Sequence, residues 1–155
     1  MQLKVPFFSQ CKDHTCGAAC LKMVMAFWGV KRSETLLARD TRATKAVGAT
    51  HQGMISAARK QGFSVHTREH SSLHDLRRFL NQGLATIVHF IEPSDNETAG
   101  HYAVVTGMTR EKIIFNDPWN GSRFSLRHKN FKKRWYASQG RYRYRRWLIV
   151  LKKTG

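Results

Sequence analysis

The hydrophobic period changes along this chain, and that change constrains the fold more than any other feature. In the first part, apolar residues recur mainly at helical spacing; in the second they fall into short β-branched and aromatic runs. A helix buries a stripe and a strand buries a face, so two such parts are stable only when packed on each other. Ala19, Cys20, Met23, Val24 and Phe27 predict a helix over residues 16–28, with Gly29 as its stop. Ser33, followed by Glu34 and LLARD, predicts a short capped helix. Two more helices are expected, over residues 50–61 with Gly62 as stop, and over 73–81 with Ser71 or Ser72 as cap and Gly83 closing it. Strands are expected over 63–68, 84–91, 101–108, 112–115, 123–126 and 146–152, with a short helix over 130–136. The connection at residues 109–111 is tight, so the strands around it read as a hairpin. The expected fold is α+β: an N-terminal helical part packed on a C-terminal antiparallel sheet, with a cleft where they meet.

A length of 155 residues suits a single domain over 1–155. The composition, 41% apolar and 24% charged, excludes a disordered, collagen-like or disulfide-scaffold chain. The longest uncharged apolar run, residues 84–91, is far short of the ~20 residues a membrane span needs. The opening MQLKVPFFSQ holds no secretory apolar run, so a reducing, cytoplasmic site of action is expected. The outlier is charge: 27 Lys and Arg against 10 Asp and Glu, a net +17. Residues 118–155 carry twelve of those basic residues and no acid. Near the end, Arg141, Arg143, Arg145 and Arg146 alternate with aromatics, a candidate surface for an acidic protein or a nucleic-acid-associated target. A solvated, solubilising face is the plain alternative.

The chemistry concentrates near the N-terminus. Cys11, Cys16 and Cys20 lie within ten residues, which is a cluster rather than a disulfide framework. Their spacing, with His14 inside, does not match paired-cysteine zinc sites, so neither metal nor another cofactor is expected. Cys20 reads as a buried small apolar residue and Cys11 as structural. Cys16 differs, because it opens a helix. There the macrodipole and unused amides favour a thiolate, and Gly17 leaves room for a substrate backbone. A thiolate nucleophile needs a base and a group to orient that base. His101 begins one strand of the hairpin and Asp117 follows the other, so pairing of the strands can bring them together. Gln10, in the extended segment before Cys16, is a candidate oxyanion donor. Trp119, beside Asp117, is a candidate cleft residue, with core packing as the alternative. His14, His51, His66, His70, His74, His89 and His128 read as surface or packing residues.

QCKDHTCGAACLKMVMAFWG, GHYAVVTG and NDPWNG together resemble the bacteriocin-processing cysteine peptidases, a papain-like family known as the leader-cleaving domain of peptide exporters. The resemblance covers nearly the whole chain, and the block Q-x5-CGxACLxM is its specific part. It implies a papain-like fold. It also implies Cys16 as nucleophile, His101 as general base and acid, Asp117 as its orienter, and Gln10 with the Cys16 amide as oxyanion donors. The implied substrate is a peptide or protein cut after a Gly-Gly pair. Thr15 stands where the family often has Asp, and where family transporters continue into membrane spans this sequence has its basic tail. A free-standing member of this kind is also expected to suit use as an interbacterial toxin, with an acidic immunity protein as partner. Two alternatives stand beside hydrolysis: a basic nucleic-acid- or protein-binding module, and an acyl transfer such as deamidation on the same triad.

Overall fold

The computed structural model describes residues 2–93, 100–139 and 141–154. Its first helix, α1 (Cys16–Phe27), is buried nearly all round: Gly17 to Leu21 and Met23 to Met25 are all inaccessible. A helix apolar on every side belongs inside a fold, and α1 is wrapped by α2 (Glu34–Thr41), α3 (His51–Lys60) and the sheet. Gly29, at φ 83°, stops it as expected, and the Val30 amide donates back to the Met25 carbonyl. Ser33 caps α2 by accepting from the Leu36 amide, and Thr50 caps α3 by accepting from the Gly53 amide. Of the two serines offered as cap for α4 (Leu73–Asn81), Ser72 fills the role, in a reciprocal box with Asp75.

The strands form one antiparallel sheet of six. They are β1 (Phe63–Arg68), β2 (Thr86–Phe90), β3 (His101–Met108), β4 (Lys112–Asp117), β5 (Gly121–Arg127) and β8 (Leu148–Lys153), in the order β1-β8-β2-β3-β4-β5. On one face lie α1 to α3, packed on Tyr102, Val104, Ile87, Ile149 and Leu151. On the other lie α4 and α5 (His128–Arg134), packed on Phe90, Val105, Phe115, Val150 and Met108. The sheet is therefore covered twice, which explains why β2 and β3 are buried at every position.

Three expectations are corrected. The basic–aromatic stretch is a second, two-stranded sheet, β6 (Tyr136–Gln139) with β7 (Tyr142–Arg145), and the final strand starts at Leu148 rather than at 146. Arg146, at φ 51°, breaks the chain direction between them. The short helix also sits two residues earlier than expected, because Trp135 turns inward as its C-cap and is buried.

A bulge positions the hairpin β3–β4. Register runs Met108↔Ile113 and Gly107↔Ile114, then shifts to Val105↔Phe115 and Val104↔Asn116. One residue, Thr106, is extra on β3. The shift reverses which face each earlier residue of β3 occupies: Ala103 and Val105 share a cluster with Met108, not with Gly107. Continued along the strands, it sets Asp117 across from Ala103. His101, two residues away, is then on the same face as Asp117.

Candidate active site

Cys16 is the first residue of α1, and its N-cap, Thr15, makes no capping bond to the helix. The Thr15 hydroxyl instead faces the Lys12 carbonyl (2.9 Å) and the Glu34 carboxylate (2.8 Å). No cap side chain therefore occupies the first-turn amides of α1, and the positive end of the helix dipole sits at the sulfur. His101 supplies the other influence. Its ring shares a cavity wall with Cys16 and acts on the thiol, and its Nε2 lies 2.7 Å from Asp117 Oδ1. With Nε2 engaged by Asp117, Nδ1 is the nitrogen left for the sulfur.

The three groups shift one another in a consistent sense. Burial opposes a thiolate at Cys16, but the charge and hydrogen bond of His101, with a backbone hydrogen bond from Tyr102, hold the thiol below its ordinary value. Burial likewise opposes an imidazolium at His101, yet the Cys16 charge and the Asp117 hydrogen bond raise it to about 10. Asp117 is desolvated too, but His101 and Asn120 keep its carboxyl below the usual range. Its Oδ1 accepts from the Trp119 and Asn120 amides (2.9 and 3.0 Å), and its Oδ2 accepts from Asn120 Nδ2 (3.1 Å). That loop fixes the carboxylate before it meets the imidazole. The arrangement favours a thiolate–imidazolium pair at neutral pH.

Two cavities flank Cys16. The smaller, about 380 Å³, is walled by Gln10, His101, Glu92 and the 58% exposed Trp119, so the structure brings both Gln10 and Trp119 to the cleft. The Gln10 amide bonds the Pro118 carbonyl, which ties the segment before the nucleophile to the loop after Asp117. Its side-chain nitrogen donates to the carbonyls of Lys12 (2.7 Å) and Asp13 (3.2 Å), so its protons face the turn in this state. The larger cavity, about 700 Å³, is lined by Lys45, Gly48, Gly100, His89 and Tyr102.

Gly17 departs from expectation. It is buried, and a Cβ there would stand 2.8 Å from Met54 Sδ and 3.2 Å from Tyr102 Cδ2. Its missing side chain lets α1 close on the interior rather than opening room for a substrate. Cys20 is buried, as read, and Cys11 is exposed, with its amide on Glu34. Among the described residues, no three His, Cys, Asp or Glu side chains converge as a metal site.

Two histidines gain a larger part than sequence reading assigned them. His51 Nε2 and His89 Nδ1 are 2.7 Å apart; His51 stacks on Trp147 (3.7 Å) and His89 on Tyr102 (4.0 Å). This pile of rings forms the wall behind the larger cavity. Burial keeps both rings uncharged, with His51 lowered to about 3. No local signal marks the pair, because α3 and β2 meet only in the fold. Arg141, Arg143, Arg145 and Arg146 line neither cavity at Cys16.

The model of the peptidase C39 family matches residues 4–138. The chain belongs to the peptidase C39 family. Its fold agrees: the peptidase domain of ComA, a bi-functional transporter of Streptococcus involved in quorum sensing, superposes with a TM-score of 0.80 at 22% identity, covering 97% of this chain and all of that one. A double glycine motif protease from an AMS/PCAT transporter, solved with its leader peptide, superposes at 0.77 with 20% identity, over 99% and 94%. Among curated proteins, the mesentericin-Y105 transport/processing protein of Leuconostoc mesenteroides is 28% identical over 135 residues. That alignment covers 85% of this chain and 18% of the relative, so the chain spans under a fifth of that protein. No helix among the described residues is long and apolar enough to cross a membrane.

Proposed function

We propose that this C39 chain hydrolyses peptide bonds with Cys16 as nucleophile, His101 as base and acid, Asp117 as orienter, and Gln10 with the Cys16 amide as oxyanion donors. The observation that carries the reading is the position of one imidazole. His101 stands beside the thiol on one side and is bonded on the other to a carboxylate, itself held by three further donors. The thiolate adds to the scissile carbonyl, and the oxyanion faces the first-turn amides of α1 and the Gln10 amide. Imidazolium gives its Nδ1 proton to the leaving amine, which departs. Water then gives a proton to the same nitrogen, and its hydroxide displaces the thiolate from the acyl-enzyme. Asp117 stays ionised throughout and stabilises the imidazolium.

The substrate reading is a peptide carrying a Gly-Gly pair before the cut. It is supported by the family and by the double glycine motif protease of the same fold. The nucleophile works only as a free thiol, which goes with a reducing compartment such as the cytoplasm. The toxin use and the acidic immunity partner are carried no further, because no residue of the site bears on them.

The test sets wild type beside Cys16→Ala, on peptides that differ only at the Gly-Gly pair, read by mass spectrometry. Two fragments, from wild type alone and only after Gly-Gly, are expected. Cleavage by Cys16→Ala would refute the nucleophile; a deamidated, uncut peptide would replace hydrolysis by acyl transfer; indifference to the Gly-Gly pair would refute the specificity.

A further inference from the structure

The C-terminal end of α5 and the β6–β7 hairpin enclose a cavity of about 270 Å³ that shares no lining residue with either cavity at Cys16. Lys132, Lys133, Arg145, Arg146 and His70 wall it, with Tyr136 among them. The arginines come from the basic–aromatic stretch, and α5 brings the lysines. Among the described residues, none of these four Lys and Arg side chains forms an ion pair. The neighbouring acid, Glu69, is spent on the hairpin: it accepts from the Tyr142 hydroxyl (3.2 Å) and the Arg145 amide (3.1 Å), and stands 3.9 Å from the His70 ring. Cations gathered this way repel one another unless an anion sits between them.

The backbone adds an independent sign. His70 (φ 58°) and Arg146 (φ 51°) both occupy the left-handed region that residues with a Cβ rarely adopt. Their amides and carbonyls lock the two turns together: His70 N donates to Arg145 O (2.8 Å), Ser71 N to Arg146 O (3.1 Å) and Arg146 N to Trp135 O (2.9 Å). Both side chains are exposed, so packing gains nothing from the strained pose. The bonds between the two turns hold that pose, which keeps His70 and Arg146 at the cavity. At the rim, the register Tyr136↔Arg145 and Ser138↔Arg143 puts both arginines on the face of Tyr136, and the Arg143 guanidinium covers that ring at 4.7 Å.

We propose that this cavity seats a backbone phosphate of single-stranded nucleic acid, with Tyr136 and Arg143 offering flat faces to a neighbouring base. A small cavity with two guanidinium forks and two ammonium groups suits one compact, multiply charged oxyanion. The carboxylates of an acidic protein are spread along a chain and have no use for a stacking face. The site stands apart from the peptidase reading.

The experiment measures fluorescence anisotropy of a labelled oligothymidylate of about 20 nucleotides, at ~150 mM NaCl and across a salt series, where single-strand binding loses about 0.7 in log–log slope for each phosphate contact removed. Lys132→Gln/Lys133→Gln/Arg145→Gln/Arg146→Gln should weaken binding tenfold or more and flatten the slope by about 2–3. The charge-matched Lys31→Gln/Arg59→Gln/Arg77→Gln/Arg110→Gln should weaken it less than threefold. Equal losses from both variants would reduce the effect to net charge and overturn the site. So would absence of binding by wild type, or equal affinity for polyglutamate of matched length. If the quadruple variant fails to fold, Lys132→Gln/Lys133→Gln, on exposed helix positions, must still lose threefold or more. Cleavage of a short Gly-Gly peptide by that variant, at the wild-type rate, separates this site from the catalytic one.

Discussion

Replacing Asp117 with Asn is the sharpest test of how the site holds its charge. The shape is conserved: Asn Oδ1 can still accept from His101 Nε2 and from the Trp119 and Asn120 amides. Two things are lost. The negative charge 2.7 Å from the imidazole disappears. The new Nδ2 also meets Asn120 Nδ2, donor against donor, where Oδ2 had accepted at 3.1 Å. An opposite charge at hydrogen-bond distance shifts a titration by about 1–3 units, or about 1.4–4 kcal/mol. The imidazolium of His101, held to about 10, should therefore titrate some 1–3 units lower. Direction follows from the linkage: a raised imidazole stays charged up to its folded value, so losing the carboxylate pulls in the alkaline edge of the active window. The resting imidazole is already charged, so the loss of kcat/KM at neutral pH comes from the weaker hold on its orientation and should be about tenfold or more. The assay follows the His101 ring protons by NMR through the titration, beside the alkaline limb of kcat/KM on a Gly-Gly peptide. A His101 titration that stays within half a unit of wild type (against the ~1–3 units expected) would refute the account, as would an unchanged alkaline limb.

Other consequences follow from the same geometry. Gln10→Ala should lower kcat by about 10²–10³ with little change in KM; a change in KM alone would make Gln10 a brace for the turn at Lys12 and Asp13. Gly17→Ala should lower Tm by about 2–6 °C, since overpacking against Met54 and Tyr102 outweighs the helix-propensity gain; a higher Tm would show that the interior yields freely. His51 stays uncharged down to about 3 when folded, whereas unfolded it charges near 6.5, so the unfolded state takes up the proton first and stability falls as pH drops through that window. Denaturant titrations should show a loss of about 3 kcal/mol from His51 between pH 7 and pH 4, with buried His89 adding to it in the same direction, and His51→Phe, which keeps the stack on Trp147, should lower the slope without abolishing it. An equal slope in both proteins would exclude His51 as its source.

Much of the site was open to reading before any fold was known. Cys16 is marked by its own neighbours, since a helix that starts at a cysteine and runs on apolar residues declares itself within a few turns. Helix ends were legible for the same reason: Gly29, Ser33 and Thr50 act through bonds spanning two to five residues. The β6–β7 hairpin is hidden in the sequence although its residues alternate, because the alternation is of arginine with tyrosine, and charge reads as surface rather than strand. The tight surroundings of Gly17 leave no mark in the sequence, because its neighbour in space, Met54, is remote in the chain.

The sequence by itself determined most local elements, the α+β layering and which groups are candidates for reaction, because each rests on period, cap chemistry or a short motif. The tertiary structure alone decided how those groups meet. The extra residue at Thr106 changes the face of β3 and so sets His101 beside Asp117, which depends on strand pairing rather than on either strand. The His51–His89 pile, the double cover of the sheet and the cations gathered from α5, β7 and the turn at His70 are of the same kind. Local propensity acts over a few residues, whereas register, burial and the convergence of charge arise only when distant segments are brought together.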